Sequence, residues 1–183
     1  MNVILFIKIK LLFILLMANE LTDEEIQNVS NILSKISPGY LPFPIFKEFA
    51  RITTTPTVVL LMFYQDNDSK KVFLTKRDEN DEFWPGLYHV PGAILRGTDV
   101  DIDLVLNRIQ SNELGETELK SDPIFSKFYF KDTKRGKELT LAYSVQVSKV
   151  DASLGRLFSK DEINDKSVID SEIEMINEAF LTG

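Results

Sequence analysis

The chain has 183 residues, 44% hydrophobic and 27% charged, which is enough for one buried core and too few for two of ordinary size. Its formal net charge of -7 and pI of about 4.8 disfavour broad attraction to a phosphate backbone, so polymer DNA or RNA is not an expected partner. The absence of cysteine excludes disulfides, thiolate nucleophiles and Cys-based zinc sites, and the single histidine, His89, excludes multi-histidine metal centres.

Residues 3–17 are strongly apolar but carry Lys8 and Lys10, and a bilayer span needs about 20 apolar residues, so no stable membrane span is expected. Leu11 to Ala18 is a passable signal-peptide h-region, although the two lysines lie beside it and no small-x-small cleavage site follows. The preferred reading starts translation at Met17, leaves 1–16 as an upstream extension and places the protein in the cytoplasm. Thr22-Asp23-Glu24-Glu25 reads as a capping box, followed by a helix with Ile26, Val29, Leu33 and Ile36 on one stripe and a stop near Ser37-Pro38-Gly39. Tyr40 to Pro44 reads as an extended connector, and Phe43, Ile45, Phe46 and Phe49 as core or dimer contacts rather than a ligand cage. Residues 17–55 thus form a helical and Pro-rich extension suited to a subunit interface, in a homodimer or with a partner, ahead of a main domain at 56–183.

Thr57 to Tyr64 is a continuous apolar run rich in strand formers, and the turn Gln65-Asp66-Asn67-Asp68-Ser69 joins it to a strand at Val72–Thr75 as a buried hairpin. Lys76-Arg77, with Arg96 further on, offers a local positive patch for a small nucleotide. The polar loop 78–86 carries Phe83 and Trp84; either ring can stack on a base, and packing is an equal role for Trp84. His89, in the short strand Tyr88 to Pro91, is read as lining a pocket or packing rather than transferring protons. Ile102, Val105, Leu106 and Ile109 recur at helical spacing and predict a helix over 100–114, stopped by Gly115. Ile124–Phe130 and Leu139–Val147 alternate as strands around the basic turn 131–137, and a last helix over 168–180 aligns Ile169, Ile173, Ile176 and Phe180. The class predicted is α+β, a mixed sheet sandwiched between helices.

Two stretches carry chemistry: Gly86-Leu87-Tyr88-His89-Val90-Pro91-Gly92-Ala93, and Arg108-Ile109-Gln110-Ser111-Asn112-Glu113-Leu114-Gly115. Together they resemble a worn Nudix box, G-x5-E-x7-R-E-U-x-E-E-x-G-U, in which U is aliphatic. Positions 109, 112 and 113 lie three and four apart and share a helix face. The full motif places glutamates there, and this chain keeps Glu113 while Ile109 and Asn112 fill the other two places. The upstream glutamate falls on Asp99 counting forward from Ala93 and on Val100 counting back from Arg108. Asp99, with Asp101 and Asp103, either supplies a shorter carboxylate or caps the helix. Arg108 either orients a neighbouring carboxylate or is an exposed helix residue.

Arg108-Ile109-x-x-x-Glu113-Leu114-Gly115 is most similar to the GDP-mannose mannosyl hydrolase branch of that superfamily. The resemblance implies a Nudix-like fold and one Mg²⁺ or Mn²⁺ held by Glu113 and a backbone carbonyl at Gly92. It also implies a small-molecule substrate, a nucleoside diphosphate linked to another moiety such as a sugar. The branch's histidine base has no counterpart in Val150 to Gly155, where Asp151 is the only acid. The expected catalytic set is therefore Glu113, Arg108, Asp99 and Asp151, with Arg77, Trp84, Phe83, His89 and Arg96 toward substrate. Isomerases of the same fold that need a catalytic thiol are excluded. Two functions remain: a metal-dependent hydrolase, favoured by the Arg108, Glu113 and Gly115 spacing, and a catalytically inactive nucleotide- or protein-binding module, favoured by the missing glutamates. The hydrolase is the reading adopted.

Overall fold

The computed structural model describes residues 21–66, 69–164 and 166–182, so the reading of 1–16 and the tip of the turn at 67–68 lie outside the described residues. The chain divides between Ser37 and Pro38. In the first unit, α1 (Asp23–Leu33) starts on the expected capping box, with the Thr22 hydroxyl accepting from the Glu25 N–H and the Glu25 carboxylate accepting from the Thr22 N–H at 2.8 Å. Ser34 ends this helix, so Ile36 falls in the following turn rather than on the stripe.

The second unit begins with a correction. The extended connector expected over Tyr40–Pro44 stops at Pro42, and Phe43–Ile52 is a helix, α2. Pro44 lies in its first turn, where the missing N–H would have had no partner and the fixed φ suits the helix. α2 leads directly into β1 (Thr54–Asp66) and groups with the sheet rather than with the helical extension.

An eight-stranded mixed sheet follows, built from β1, β2 (Ser69–Lys76), β3 (Tyr88–His89), β4 (Gly92–Ile94), β5 (Glu118–Leu119), β6 (Ile124–Thr133), β7 (Gly136–Lys149) and β8 (Gly155–Phe158). β1 and β7 run parallel at its centre from Thr54↔Lys137 to Tyr64↔Val147. β2 and β4 pair antiparallel with β1, and β6 and β5 with β7. The β6–β7 hairpin is tighter than expected, since both strands run into the basic stretch that was read as a turn.

β1 is apolar at every position from 58 to 63 because both of its faces are covered. Val59, Leu61 and Phe63 pack with Met175, Ile176 and Ala179 of α4 (Asp170–Thr182). Val58, Leu60 and Met62 pack with Val105 and Ile109 of α3 (Ile102–Glu113) on the other face. Each fully buried aliphatic or aromatic side chain contributes about 1.5–3 kcal/mol. The central strand therefore fixes two helices on opposite sides of one sheet.

Gly136, at the start of β7, has φ +131 and lies so close to the Ala50 carbonyl that a Cβ would collide with backbone. Gly136→Ala is expected to cost about 2 kcal/mol or more. Gly97→Ala, whose Cβ would meet nothing nearer than Pro38 at 3.9 Å, is expected to leave stability almost unchanged. Urea unfolding of the two variants beside wild type checks this.

Candidate functional site

The site forms where the loop from β3 to β4 passes between α3 and α4. The Leu60 N–H donates to the Pro91 carbonyl at 2.9 Å and the Leu95 N–H to the Pro56 carbonyl at 3.1 Å. With Gly92 opposite Val59 in the register, Gly92 is a non-hydrogen-bonded partner of β1, and its N–H and C=O turn away from that strand. The N–H donates to Glu113 Oε2 at 3.1 Å. Only glycine fits here, because a Cβ would stand 2.7 Å from the Val58 carbonyl oxygen and 2.8 Å from Val59 Cγ1.

Two residues upstream, the Val90 N–H donates to Glu172 Oε2 at 2.7 Å. Alternate amides of this short segment are thus held by two carboxylates from two helices. Burial pushes Glu113 above the usual carboxylate range, with the Gly92 N–H and the charge of Arg77 pulling back. Burial also raises Glu172, opposed by Lys131, the Val90 N–H and Arg77.

Beside this clamp lies a cavity of about 220 Å³ lined by Arg77, Lys131, Arg135, Glu138, Glu172 and residues 92–94. Glu138 is buried and takes Arg135 at 2.6 Å and Lys131 at 3.4 Å. The Arg77 Nε is buried without a hydrogen-bond partner. Three cations against two carboxylates make the cavity electropositive in a chain that is acidic overall.

The other expected residues separate. Arg108 makes a bidentate pair with Asp99, at 2.5 and 2.9 Å, and donates to the Ile94 carbonyl at 2.9 Å, while Asp99 also accepts the Arg96 N–H at 2.7 Å. Asp99 is therefore committed to closing the β4–α3 loop, and the Arg108 guanidinium holds its carboxyl below the usual range. Asp101 is the N-cap of α3, accepting from the Leu104 N–H at 2.8 Å. Arg96 is exposed and meets Asp99 through its backbone. Ile109 is in the core and Asn112 is exposed, so neither the 109 nor the 112 position offers a ligand beside Glu113.

Asp151 accepts from the Ser153 hydroxyl and N–H and from the Glu116 N–H, a turn-capping set that holds its pKa down and leaves it a poor base. His89 is buried, accepts from or donates to Thr75 Oγ1 at Nε2 and meets the Val90 carbonyl at Nδ1, 2.9 Å away. The carbonyl can only accept, which places the proton on Nδ1. Desolvation, reinforced by Arg77, pushes the imidazole down to about 3, so it stays neutral. Trp84 is buried with the Arg135 guanidinium 4.9 Å from its ring centroid and Arg77 at 6.0 Å, so it supports the cations of the cavity. Phe83 packs edge-on to Phe43 at 6.3 Å and tilts against Trp84 at 5.6 Å.

Lys131, Arg135, Glu138 and Glu172 were not among the expected site residues. For Glu172 the signal was a carboxylate set among Ile169, Ile173 and Ile176, on the face of α4 that turns to the sheet. Lys131 and Arg135 sat inside the stretch read as a basic turn, and Glu138 between that turn and the strand expected from Leu139.

Among the described residues no three His, Asp or Glu side chains converge. Glu113 keeps one carboxylate oxygen beyond its bond to Gly92, and the Gly92 carbonyl faces the same way as that residue's N–H. Two hard oxygens suit Mg²⁺ or Mn²⁺ only when substrate phosphate and water complete the shell.

No sequence-family model and no curated protein sequence matches this chain. Solved structures do. A mutT/nudix family protein from Listeria innocua superposes with a TM-score of 0.56 at 17% identity, covering 72% of this chain and 95% of its own. The fold is the Nudix fold. A NUDIX hydrolase from Nitrosomonas europaea (TM-score 0.54, 18% identity, 72% and 90% covered) shares it. So does the NUDIX domain of Shewanella oneidensis NrtR complexed with ADP ribose (TM-score 0.52, 17% identity, 78% and 93% covered). Among the described residues no helix is long and apolar enough to cross a membrane.

Within this Nudix fold the Arg108–Asp99 pair is a structural fastening. Arg108→Ala strands a nearly sealed carboxylate and is expected to cost about 1–3 kcal/mol at neutral pH. Because the folded pKa of Asp99 is depressed, its contribution is present above the ordinary carboxylate range and is lost as pH falls through the folded value. Melting temperature followed from pH 7 to acid should therefore fall less steeply in Arg108→Ala than in wild type.

Proposed function

We propose that this chain is a Nudix-type hydrolase of a nucleoside diphosphate linked to another moiety, with nucleotide sugars as the substrate class. The observation that carries the reading is Glu113 bonded to the Gly92 N–H, where Gly92 itself lines a cavity shared with Arg77, Lys131 and Arg135. The three cations neutralise and orient the diphosphate, and the arginines do so with planar guanidinium forks. Ionised Glu113 and the Gly92 carbonyl would hold the divalent cation. When bound, Mg²⁺ or Mn²⁺ supplies charge neutralisation at the diphosphate oxygens.

Glu172 replaces Asp151 as the proposed base. One of its oxygens is fixed by the Val90 N–H, and its place in the cavity wall lets the other take a proton from water. The water oxygen bonds to the substrate centre, the bond to the departing group breaks, and the leaving group carries away the electron pair. Burial tunes both carboxylates upward, so each protonates at a higher pH than a free side chain.

A second reading, a module that binds a nucleotide or protein without turnover, is favoured by the burial of Ile109, which absorbs one ligand position into the core. Incubation with Mg²⁺ or Mn²⁺ and a panel of nucleotide sugars, dinucleotides and ADP-ribose separates the two. Turnover should vanish with chelator and fall about 100-fold or more in Glu113→Gln. Saturable binding without product, unchanged by chelator, would establish the module instead.

The pH profile gives an independent check. Activity needs both carboxylates ionised, and their raised pKa values mean that it declines with acidification sooner than ordinary glutamates would dictate. Glu172→Gln should lower kcat by about 10²-fold or more and remove the acid limb belonging to that residue. An unchanged kcat would return the base assignment to another group.

A further inference from the structure

The apolar run of β1 opens on a threonine, Thr57, where a buried central strand would take a valine of the same shape. Its neighbours in the register are Thr140 on β7 and Ile94 on β4. The Thr57 and Thr140 hydroxyls meet at 2.9 Å, with Thr140 sealed at 0% exposure and Thr57 at 5%. Distance alone does not say which oxygen donates, and burial decides. Among the described residues the Thr140 hydroxyl has this one hydrogen bond, so if it accepted, its own O–H would be sealed in the protein with no acceptor. Thr57 lines the 220 Å³ cavity and has somewhere to turn. Thr140 therefore donates, Thr57 accepts, and the Thr57 O–H is left to face the cavity.

We infer that Thr57 is a substrate-binding residue whose O–H, alongside the Nε–H of Arg77, donates to the diphosphate; the inference rests on the reading of this cavity as a diphosphate site. Arg77 lines the same cavity, and its Nε is buried without a hydrogen-bond partner. Two donors of one wall thus lack an acceptor. The carboxylates nearby are already engaged, Glu138 by Arg135 and Lys131 and one oxygen of Glu172 by the Val90 N–H. A sugar hydroxyl would bring a proton of its own to place. The outer oxygens of a diphosphate only accept, and they carry the charge that Arg77, Lys131 and Arg135 favour. A hydroxyl adds one more donor there without adding charge, which accounts for threonine in a place that packing alone would give to valine.

The test is calorimetric binding of inorganic diphosphate, with Mg²⁺ present, to the full chain and to three variants: Thr140→Val, Thr57→Val with Thr140→Val, and Thr57→Ser with Thr140→Val. Thr140→Val removes the sealed hydroxyl, so none of the three leaves a buried donor unsatisfied, and they differ from one another only at the cavity wall. Relative to Thr140→Val alone, adding Thr57→Val should raise Kd about 10-fold or more, and Thr57→Ser in its place should recover most of the lost affinity. Equal Kd for Thr140→Val and the double valine variant overturns the inference. So does a serine variant that recovers nothing, because the loss would then come from strand packing. A wild-type chain that binds no diphosphate overturns the reading of the cavity itself. The expected order of Kd in a chain that turns over no nucleotide sugar supports Thr57 and defeats hydrolysis alone.

Discussion

The hydrogen bonds from the Val90 and Gly92 amides to Glu172 and Glu113 are the constraint on which the rest of the site depends. They tie a short irregular segment to two helices that lie on opposite faces of the sheet. Removing a carboxylate from water costs several kcal/mol unless charges and donors compensate it. Here each has one backbone amide and a share of the field of Arg77. The arrangement is dearer than an apolar one would be, and such incompletely compensated carboxylates cluster where proteins bind or react.

Everything near the clamp serves its geometry. Gly92 lets the segment press onto Val58 and Val59, which brings its amide within reach of α3. Arg108 and Asp99 close the loop that sets where α3 begins, and buried Ile109 and Leu114 set how that helix rolls on the sheet. Trp84 fixes Arg135 from below, so the cation reaches the cavity with less conformational freedom to lose. Neutral His89 joins β2 to β3 through Thr75.

Much of the fold was legible in the sequence because its signals are local or periodic. The capping box at Thr22, the unbroken apolar run at 58–63, the helical spacing of Ile102 to Ile109 and the alternation after Leu139 each follow from backbone geometry alone. α2 was missed because prolines near Phe43 read as breakers, although a helix tolerates them in its first turn. β4, β5 and β8 are only two to four residues long, and pairing with a neighbour rather than propensity makes them strands. The site was half legible: Glu113 and the Gly92 loop stand in a motif, whereas Glu172 looks like any acidic residue of an amphipathic helix until its partner is known.

The sequence by itself determined the periodicities, the lone histidine, the absence of thiols and the single carboxylate left in the motif, because these are properties of residue type and spacing. Only the tertiary structure decided which charges meet. Lys131, Arg135 and Glu138 come from one hairpin, Arg77 from the end of another strand and Glu172 from the last helix, and their separation along the chain carries no trace of their convergence. The same packing decided that Asp99 serves Arg108 and that Asp151 serves its own turn. A carboxylate's role is set by the donors and the dielectric around it, and those exist only once distant segments have been brought together.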